Sequence, residues 1–198
     1  MENKQWANPT PAGLVALGVA CFGFFALLTG RVGRGALPLL GCFLIGGFFI
    51  QIIVALLDLK SGNSAGGNTF LYFSVYFMLV SGGEMFVKYF CSGLDTRIDG
   101  WAWLCLMLVV ALWTPAFFKT SAILFIIVAA LNVAVPCIAL SDLKVFPADV
   151  NAVLSQVAGW VLLLCGVLGV YLSGAIVVNT AYGRNLLPNP GPFYSQTT

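Results

Sequence analysis

Hydrophobic residues are arranged along this sequence in six long runs, separated by short polar breaks. A helix that crosses the hydrocarbon core of a membrane needs about 20 consecutive apolar residues. The runs that approach or exceed this length cover residues 12–29, 36–57, 69–90, 101–118, 120–140 and 154–177. They predict an all-α membrane protein with six transmembrane helices.

The breaks between these runs contain residues that favour turns. Residues 31–35 and 58–67 are rich in glycine, and Pro115 and Lys119 predict a tight hairpin between the fourth and fifth helices. We therefore expect three parts. They are a polar lead over residues 1–11, a six-helix transmembrane domain over residues 12–177, and an irregular, proline-rich tail over residues 178–198.

The composition excludes several classes of function. Only 8% of the 198 residues are charged and 60% are hydrophobic, whereas a soluble domain has about 25% charged residues. The absence of histidine excludes Ser-His-Asp and Cys-His triads and the usual zinc sites. The nine basic residues are scattered, so no nucleic-acid surface is predicted. We expect no enzyme activity, no metal and no cofactor, and we expect lipid around the protein.

An even number of spans places both termini on one side of the membrane, and the charges do not show which side. The basic residues on the terminal side are Lys4, Lys60, Lys119 and Arg184. Those on the other side are Arg31, Arg34, Arg97 and Lys144, with Lys88 just inside the membrane. The positive-inside rule needs a clear excess on one side, so it gives no orientation here.

Polar residues inside the apolar runs need a partner or water. Glu84 and Lys88 are four residues apart, which predicts an intrahelical ion pair, with proton handling by Glu84 as the alternative. Asn132 lies four residues before Pro136, which frees the backbone carbonyl of Asn132. This arrangement indicates either a polar cavity or a simple interhelical hydrogen bond.

Small residues line one face of the last run. Gly159, Gly166, Gly169 and Ser173 fall on one helical stripe. Helices in lipid associate closely where such residues allow their backbones to approach, so close packing is the main interpretation. Room for a solute is the alternative.

The first run begins with a proline-rich motif. Residues 8–14 read Asn-Pro-Thr-Pro-Ala-Gly-Leu, and Asn8 is a favourable N-cap for a helix that begins here. Such a helix end presents N–H groups and a partial positive charge, which suit an anion.

The same motif resembles the N-P-[A/V/T]-P-x-G-L signature of the acetate uptake transporter family, the succinate–acetate permeases. Residues 51–64 resemble the second helix and following loop of that family. The last helix and tail are similar as well, through residues 158–160, Tyr171, Asn179, residues 182–184 and residues 187–188. Together these segments span nearly the whole chain.

The resemblance implies a homohexamer in the plasma (inner) membrane, with both termini cytoplasmic and six helices around a central pore in each protomer. It also implies an apolar constriction formed by one residue each from the first, third and fifth helices. By position, these residues are Leu17, Phe73 and Leu131. Leu17 and Phe73 depart from the usual Phe and Tyr, and the loss of the Tyr hydroxyl removes a donor for a carboxylate.

We therefore expect transport of acetate, and of other small carboxylates, by a proton-coupled or channel-like mechanism. The expected solute path beside the constriction contains Asn8, Thr10, Gln51, Phe70 and Asn132. A channel for urea or small neutral amides is the first alternative. A structural membrane protein and a membrane enzyme are the others, although no cluster of acids supports catalysis.

Overall fold

The structure, a computed structural model, describes residues 7–194, and these residues form helices and connecting turns without a strand. Residues 1–6 of the predicted lead and 195–198 of the predicted tail lie outside the described range. The six long helices are α1 (Thr10–Leu28), α2 (Leu37–Lys60), α3 (Ser64–Phe90), α4 (Arg97–Trp113), α5 (Ala122–Asp142) and α6 (Ala148–Tyr182). A 3₁₀ turn, Arg34–Ala36, precedes α2, and a second one, Thr114–Lys119, follows α4.

The prediction of six transmembrane helices is confirmed. Each long helix is apolar enough to cross a membrane. Large apolar side chains also face outward, as on α2, where Leu39, Phe43 and Phe49 are each at least 60% exposed. Water would not tolerate such a surface over the whole bundle, whereas lipid matches it. The chain is therefore an integral membrane protein.

The predicted boundary of the tail is wrong by five residues. Helix α6 continues to Tyr182 and ends at Gly183, whose φ of +62° is the left-handed conformation that commonly ends a helix. Asn179 remains helical because its side chain is used elsewhere: its Oδ1 accepts hydrogen bonds from the N–H groups of Leu186 and Leu187. These bonds hold the irregular tail against the end of α6.

The helices pack in chain order around a closed ring. Helices α1 to α3 pack side by side in chain order, as do α4 to α6, and α6 returns to pack along α1. Long side chains complete the closure between α3 and α4. These contacts are Tyr72–Trp113, Phe77–Trp103 and Lys88–Asp99.

Helices α1 and α6 pack closely through their small residues, which confirms the main interpretation of the stripe on α6. A Cβ placed on Gly166 would lie 3.0 Å from Cys21 Cβ, and one on Gly18 would lie 2.7 Å from a Val170 methyl. Ser173 Oγ donates a hydrogen bond to the carbonyl of Pro11 at 3.0 Å. The stripe therefore joins two helices of one protomer.

Helix α3 changes its winding in the middle of the membrane. Residues Phe73–Val80 form a π-helix between the α-helical segments Ser64–Tyr72 and Ser81–Phe90. A π segment widens the turn and shifts the direction of the side chains that follow, and it occurs often at functional sites. Phe73 is the first residue of this segment.

Candidate functional site

A narrow cavity of about 40 Å³ lies inside the ring, in the half of the bundle nearer the chain termini. Leu17 of α1, Phe73 of α3 and Leu131 of α5 all line it, and each is less than 10% exposed. The structure thus brings together the three side chains that the resemblance assigned to a constriction. The other lining residues are Leu14, Gln51, Gly66, Thr69, Phe70, Phe117, Leu124, Ile127 and Val128.

Helical periodicity explains how these residues reach one cavity. On α5, Leu124, Ile127, Val128 and Leu131 follow the i, i+3, i+4, i+7 pattern of a single helix face. On α3, Gly66, Thr69, Phe70 and Phe73 repeat the same spacing, and Leu14 and Leu17 form one turn of it on α1. Three helices therefore each contribute one face to the wall, and most of the side chains on these faces are apolar.

Gln51 and Phe70, two residues of the predicted path, also line the cavity. Gln51 is 1% exposed, and its Nε2 donates a hydrogen bond to the carbonyl oxygen of Gly13 at 3.3 Å. The Phe70 ring fills the space beside Gly13, where a Cβ would lie 2.7 Å from a ring carbon. A side chain at Gly13 would therefore displace the Phe70 ring, which gives a physical reason for the glycine of the N-terminal motif.

Asn132, another residue of the predicted path, is hydrogen-bonded within the bundle. Its Nδ2 donates hydrogen bonds to Thr114 Oγ1 at 2.7 Å and to the Val128 carbonyl at 3.0 Å, and it is not among the residues that line the cavity. The interhelical hydrogen bond, which was the alternative interpretation, is the one observed. The reason is geometric, because one residue after Leu131 turns the side chain about 100° around the helix.

Asn8 and Thr10 lie at the start of α1, away from the cavity wall. Asn8 is exposed, and its Oδ1 accepts a hydrogen bond from the Thr10 N–H at 3.0 Å. The N–H of Ala12 donates to the Pro9 carbonyl, and Pro11 has no N–H to offer. The first turn of α1 therefore lacks the row of free N–H groups that an anion would bind.

Aromatic rings fill the bundle on the far side of Phe73. Phe77 is 3% exposed, and its ring centroid lies 5.1 Å from that of Phe24, 5.6 Å from that of Phe73 and 6.2 Å from that of Trp103. We refer to Phe24, Phe77 and Trp103 as the aromatic plug. Phe77 lies about one helical turn beyond Phe73 on α3, so the aromatic plug lies next to the cavity along the bundle.

Beyond the plug, Lys88 forms two ion pairs. Its Nζ lies 3.0 Å from Glu84 Oε2, which confirms the predicted intrahelical pair, and 2.6 Å from Asp99 Oδ2. Arg34 donates to the carbonyls of Lys88 and Tyr89 at the end of the same helix. The charged residues here bind one another, and this arrangement supports a structural role for Glu84.

Sequence reasoning missed Thr69 and Asp99. Thr69 lines the cavity, and its Oγ1 is buried without a hydrogen-bond partner among residues 7–194. The spacing holds a signal for Thr69, which lies one turn before Phe73 on the same helix face. No such signal links Asp99 to Lys88, because the two residues belong to different helices.

No protein-family model matches the chain. Over 198 aligned residues the chain is 27% identical to the succinate-acetate/proton symporter SatP of Escherichia coli K12, with 95% of this chain and 97% of that protein covered. The SatP of Shigella flexneri gives the same values. The solved structure of the bacterial acetate channel SatP shares the fold, with a TM-score of 0.81 at 22% identity over 93% of this chain and 99% of that one.

These relatives are a symporter and a channel rather than enzymes, and none is described as a urea channel. Similarity extends from end to end in sequence, and the fold is shared over nearly the whole chain. The chain is therefore similar to SatP proteins over nearly its whole length, in sequence and in fold.

Proposed function

We propose that this protein transports acetate and similar small monocarboxylates across the membrane, through the cavity inside each protomer. The observation that carries the proposal is the convergence of Leu17, Phe73 and Leu131, from three different helices, on one narrow cavity. A cavity of about 40 Å³ has room for roughly two or three water molecules, which suits a solute of few heavy atoms. The similarity to SatP proteins supports acetate as the solute.

The three apolar side chains act as a constriction that the solute crosses with little or no water. A bare carboxylate that enters such a region loses hydration worth about 20 kcal/mol in the idealised Born estimate. None of the described residues that line the cavity is charged, so no cation offsets this loss. The constriction must therefore be short, or the solute must pass with its charge neutralised.

Bulk at Leu131 tests the proposal directly. Leu131→Trp fills the constriction, so we expect uptake of labelled acetate into proteoliposomes to fall at least tenfold after subtraction of protein-free vesicles. Leu131→Ala widens the constriction and maintains or raises uptake. Val133→Trp is the matched control, because Val133 is on the same helix but 48% exposed on the outer surface. Equal uptake by the Leu131→Trp and Val133→Trp proteins, at the wild-type rate, contradicts the proposed pathway.

The assembly and orientation belong to the same proposal. The cavity is built from one chain, so each protomer of a homohexamer would hold its own path. The outward apolar residues of α2 and α6 offer surface for neighbouring protomers as well as for lipid. We place the hexamer in the plasma (inner) membrane with both termini cytoplasmic, as the family resemblance implies.

A further inference from the structure

The irregular tail lies against the bundle in residues 186–194, which we call the strap. One end of the strap is bound to α6. Asn179 Nδ2 donates a hydrogen bond to the Leu187 carbonyl at 2.8 Å. Tyr171 Oη donates one to the Pro188 carbonyl, also at 2.8 Å. The strap therefore begins at a fixed place on the last helix.

The other end of the strap lies on the hairpin between α4 and α5. The N–H of Ala122, the first residue of α5, donates to the Pro190 carbonyl at 3.1 Å. The first N–H groups of a helix have no acceptor within the helix, so the strap supplies one for α5. The N–H of Tyr194 donates to the Phe118 carbonyl at 3.0 Å. Backbone hydrogen bonds thus join the strap to both sides of the hairpin.

Aromatic rings continue this contact toward the cavity. Phe193 of the strap packs edge-to-face on Phe125, with ring centroids 5.4 Å apart. Phe125 stacks on Phe118 at 4.3 Å. Phe118 directly follows Phe117, which is 2% exposed and lines the cavity. The strap therefore contacts the neighbour of a cavity residue through both a ring stack and a hydrogen bond.

Phe117 differs from the other residues that line the cavity, because those all belong to the long helices. It lies in the 3₁₀ turn Thr114–Lys119, and hydrogen bonds within such a turn have poorer geometry than those of an α-helix. Contacts from outside the turn therefore matter more for the position of its side chains. We infer that the strap positions Phe117 in the cavity wall and thereby limits the size of the solute that the cavity accepts. This inference rests on the proposed function and adds a specificity determinant outside the six helices.

The ratio of butyrate uptake to acetate uptake tests this inference. A loss of folded protein lowers the uptake of both solutes equally, whereas a wider cavity favours the longer one. Both rates are measured in proteoliposomes after subtraction of protein-free vesicles. Phe117→Ala shortens the wall residue itself, so it should raise the ratio directly.

Phe193→Ala removes the ring by which the strap holds the hairpin. We expect the ratio to rise about threefold, the factor that corresponds to one weak aromatic contact. Phe193→Tyr keeps the ring, and because Phe193 is 61% exposed, the added hydroxyl can reach water. This conservative variant should therefore keep the wild-type ratio. Tyr182→Ala is the matched control, since Tyr182 is a similarly exposed aromatic residue that belongs to α6 rather than to the strap.

A backbone variant tests the same link without removing a ring. Ala122→Pro deletes the N–H that binds the Pro190 carbonyl. Proline is favourable at the first position of a helix, and Ser121 before it has the extended ψ of 146° that proline requires. Helix α5 should therefore remain intact while the strap loses its hydrogen bond, and the ratio should rise as in Phe193→Ala.

The double variant Phe117→Ala/Phe193→Ala shows whether the strap acts through Phe117. In that case the second change has nothing left to position, so the ratio should equal that of Phe117→Ala alone. A ratio that is the product of the two single effects contradicts this route.

The outcomes distinguish this inference from the proposed function. A wild-type ratio in Phe193→Ala, or an equal change of the ratio in Phe193→Tyr or Tyr182→Ala, overturns the role of the strap and leaves acetate transport in place. Acetate uptake by the unmodified protein at the level of protein-free vesicles overturns the proposed function itself.

Discussion

The two halves of the bundle use the same six helices in opposite ways. In the half near the termini, the helices surround a cavity whose polar side chains, Gln51 and Thr69, each keep a buried atom without a partner among residues 7–194. In the far half, aromatic rings fill the interior, and the ionised groups of Glu84, Lys88 and Asp99 bind one another.

This difference indicates that the half near the termini binds a solute, whereas the far half stabilises the bundle. Burying a polar group inside a membrane protein without a partner costs free energy, so each such group needs a hydrogen-bond partner in the protein or in a ligand. In the far half, Lys88 pairs with both Glu84 and Asp99, and the second pair links α3 to α4. The near half leaves hydrogen-bonding capacity for a solute.

Two phenylalanines on α3 give the largest expected effect. Phe77 lies in the plug with neighbours on three sides, so Phe77→Ala should lower the free energy of unfolding by about 3 kcal/mol. Phe73 borders the cavity, and Phe73→Ala should cost roughly half as much, because one side of its ring already lacks contacts. Denaturation in mixed micelles measures both values.

Acetate flux through the same two variants provides a second comparison of the two halves. Phe73→Ala should raise acetate flux, because it widens the constriction while the helix remains packed. Phe77→Ala should raise it only if the plug is the barrier on the far side. Equal stability losses for the two variants would show that the cavity half is packed as tightly as the plug, and the contrast between the halves would then fail.

Lys88 is expected to give the next largest effect. Asp99 is 9% exposed and pairs with Lys88 at 2.6 Å, so Lys88→Met leaves a mostly buried carboxylate without its cation. Lys88 itself is 28% exposed, which limits the cost to about 2 kcal/mol of unfolding free energy. Adding Asp99→Asn to Lys88→Met should recover most of this loss.

An exposed ion pair provides the control for Lys88. Asp95 and Arg97 also form a short ion pair, but both side chains are more than 60% exposed. Asp95→Asn should therefore leave the unfolding transition unchanged. If Lys88→Met also leaves the unfolding transition unchanged, the ion pair between α3 and α4 does not stabilise the far half.

The sequence predicted the framework of the site better than its polar details. The six spans follow from the lengths of the apolar runs, and Leu17, Phe73 and Leu131 follow from family resemblance and position. Helical spacing then predicts that the residues one turn away from each of them also line the cavity. Local periodicity is sufficient for these assignments because α1, α3 and α5 each present one helix face to the cavity.

Polar residues were harder to assign because their roles depend on helix rotation and on distant partners. Leu131 lines the cavity and the adjacent Asn132 does not, although only Asn132 carries a polar signal. Asp99 pairs with Lys88 through the packing of two helices, which sequence spacing does not encode. The π segment at Phe73–Val80 likewise depends on tertiary packing.

Asn132 gives the smallest expected effect and tests the boundary of the site. Its hydrogen bond to Thr114 joins α5 to the turn after α4, and such bonds inside membrane proteins contribute about 0.6 kcal/mol on average. Asn132→Leu and Thr114→Val should each cost about that much, and the double variant little more, because both remove the same bond. Acetate flux should stay at the wild-type level in all three. If Asn132→Leu loses flux and Thr114→Val does not, the Asn132 amide contacts the solute. The polar groups on the solute path would then include Asn132 as well as Gln51 and Thr69.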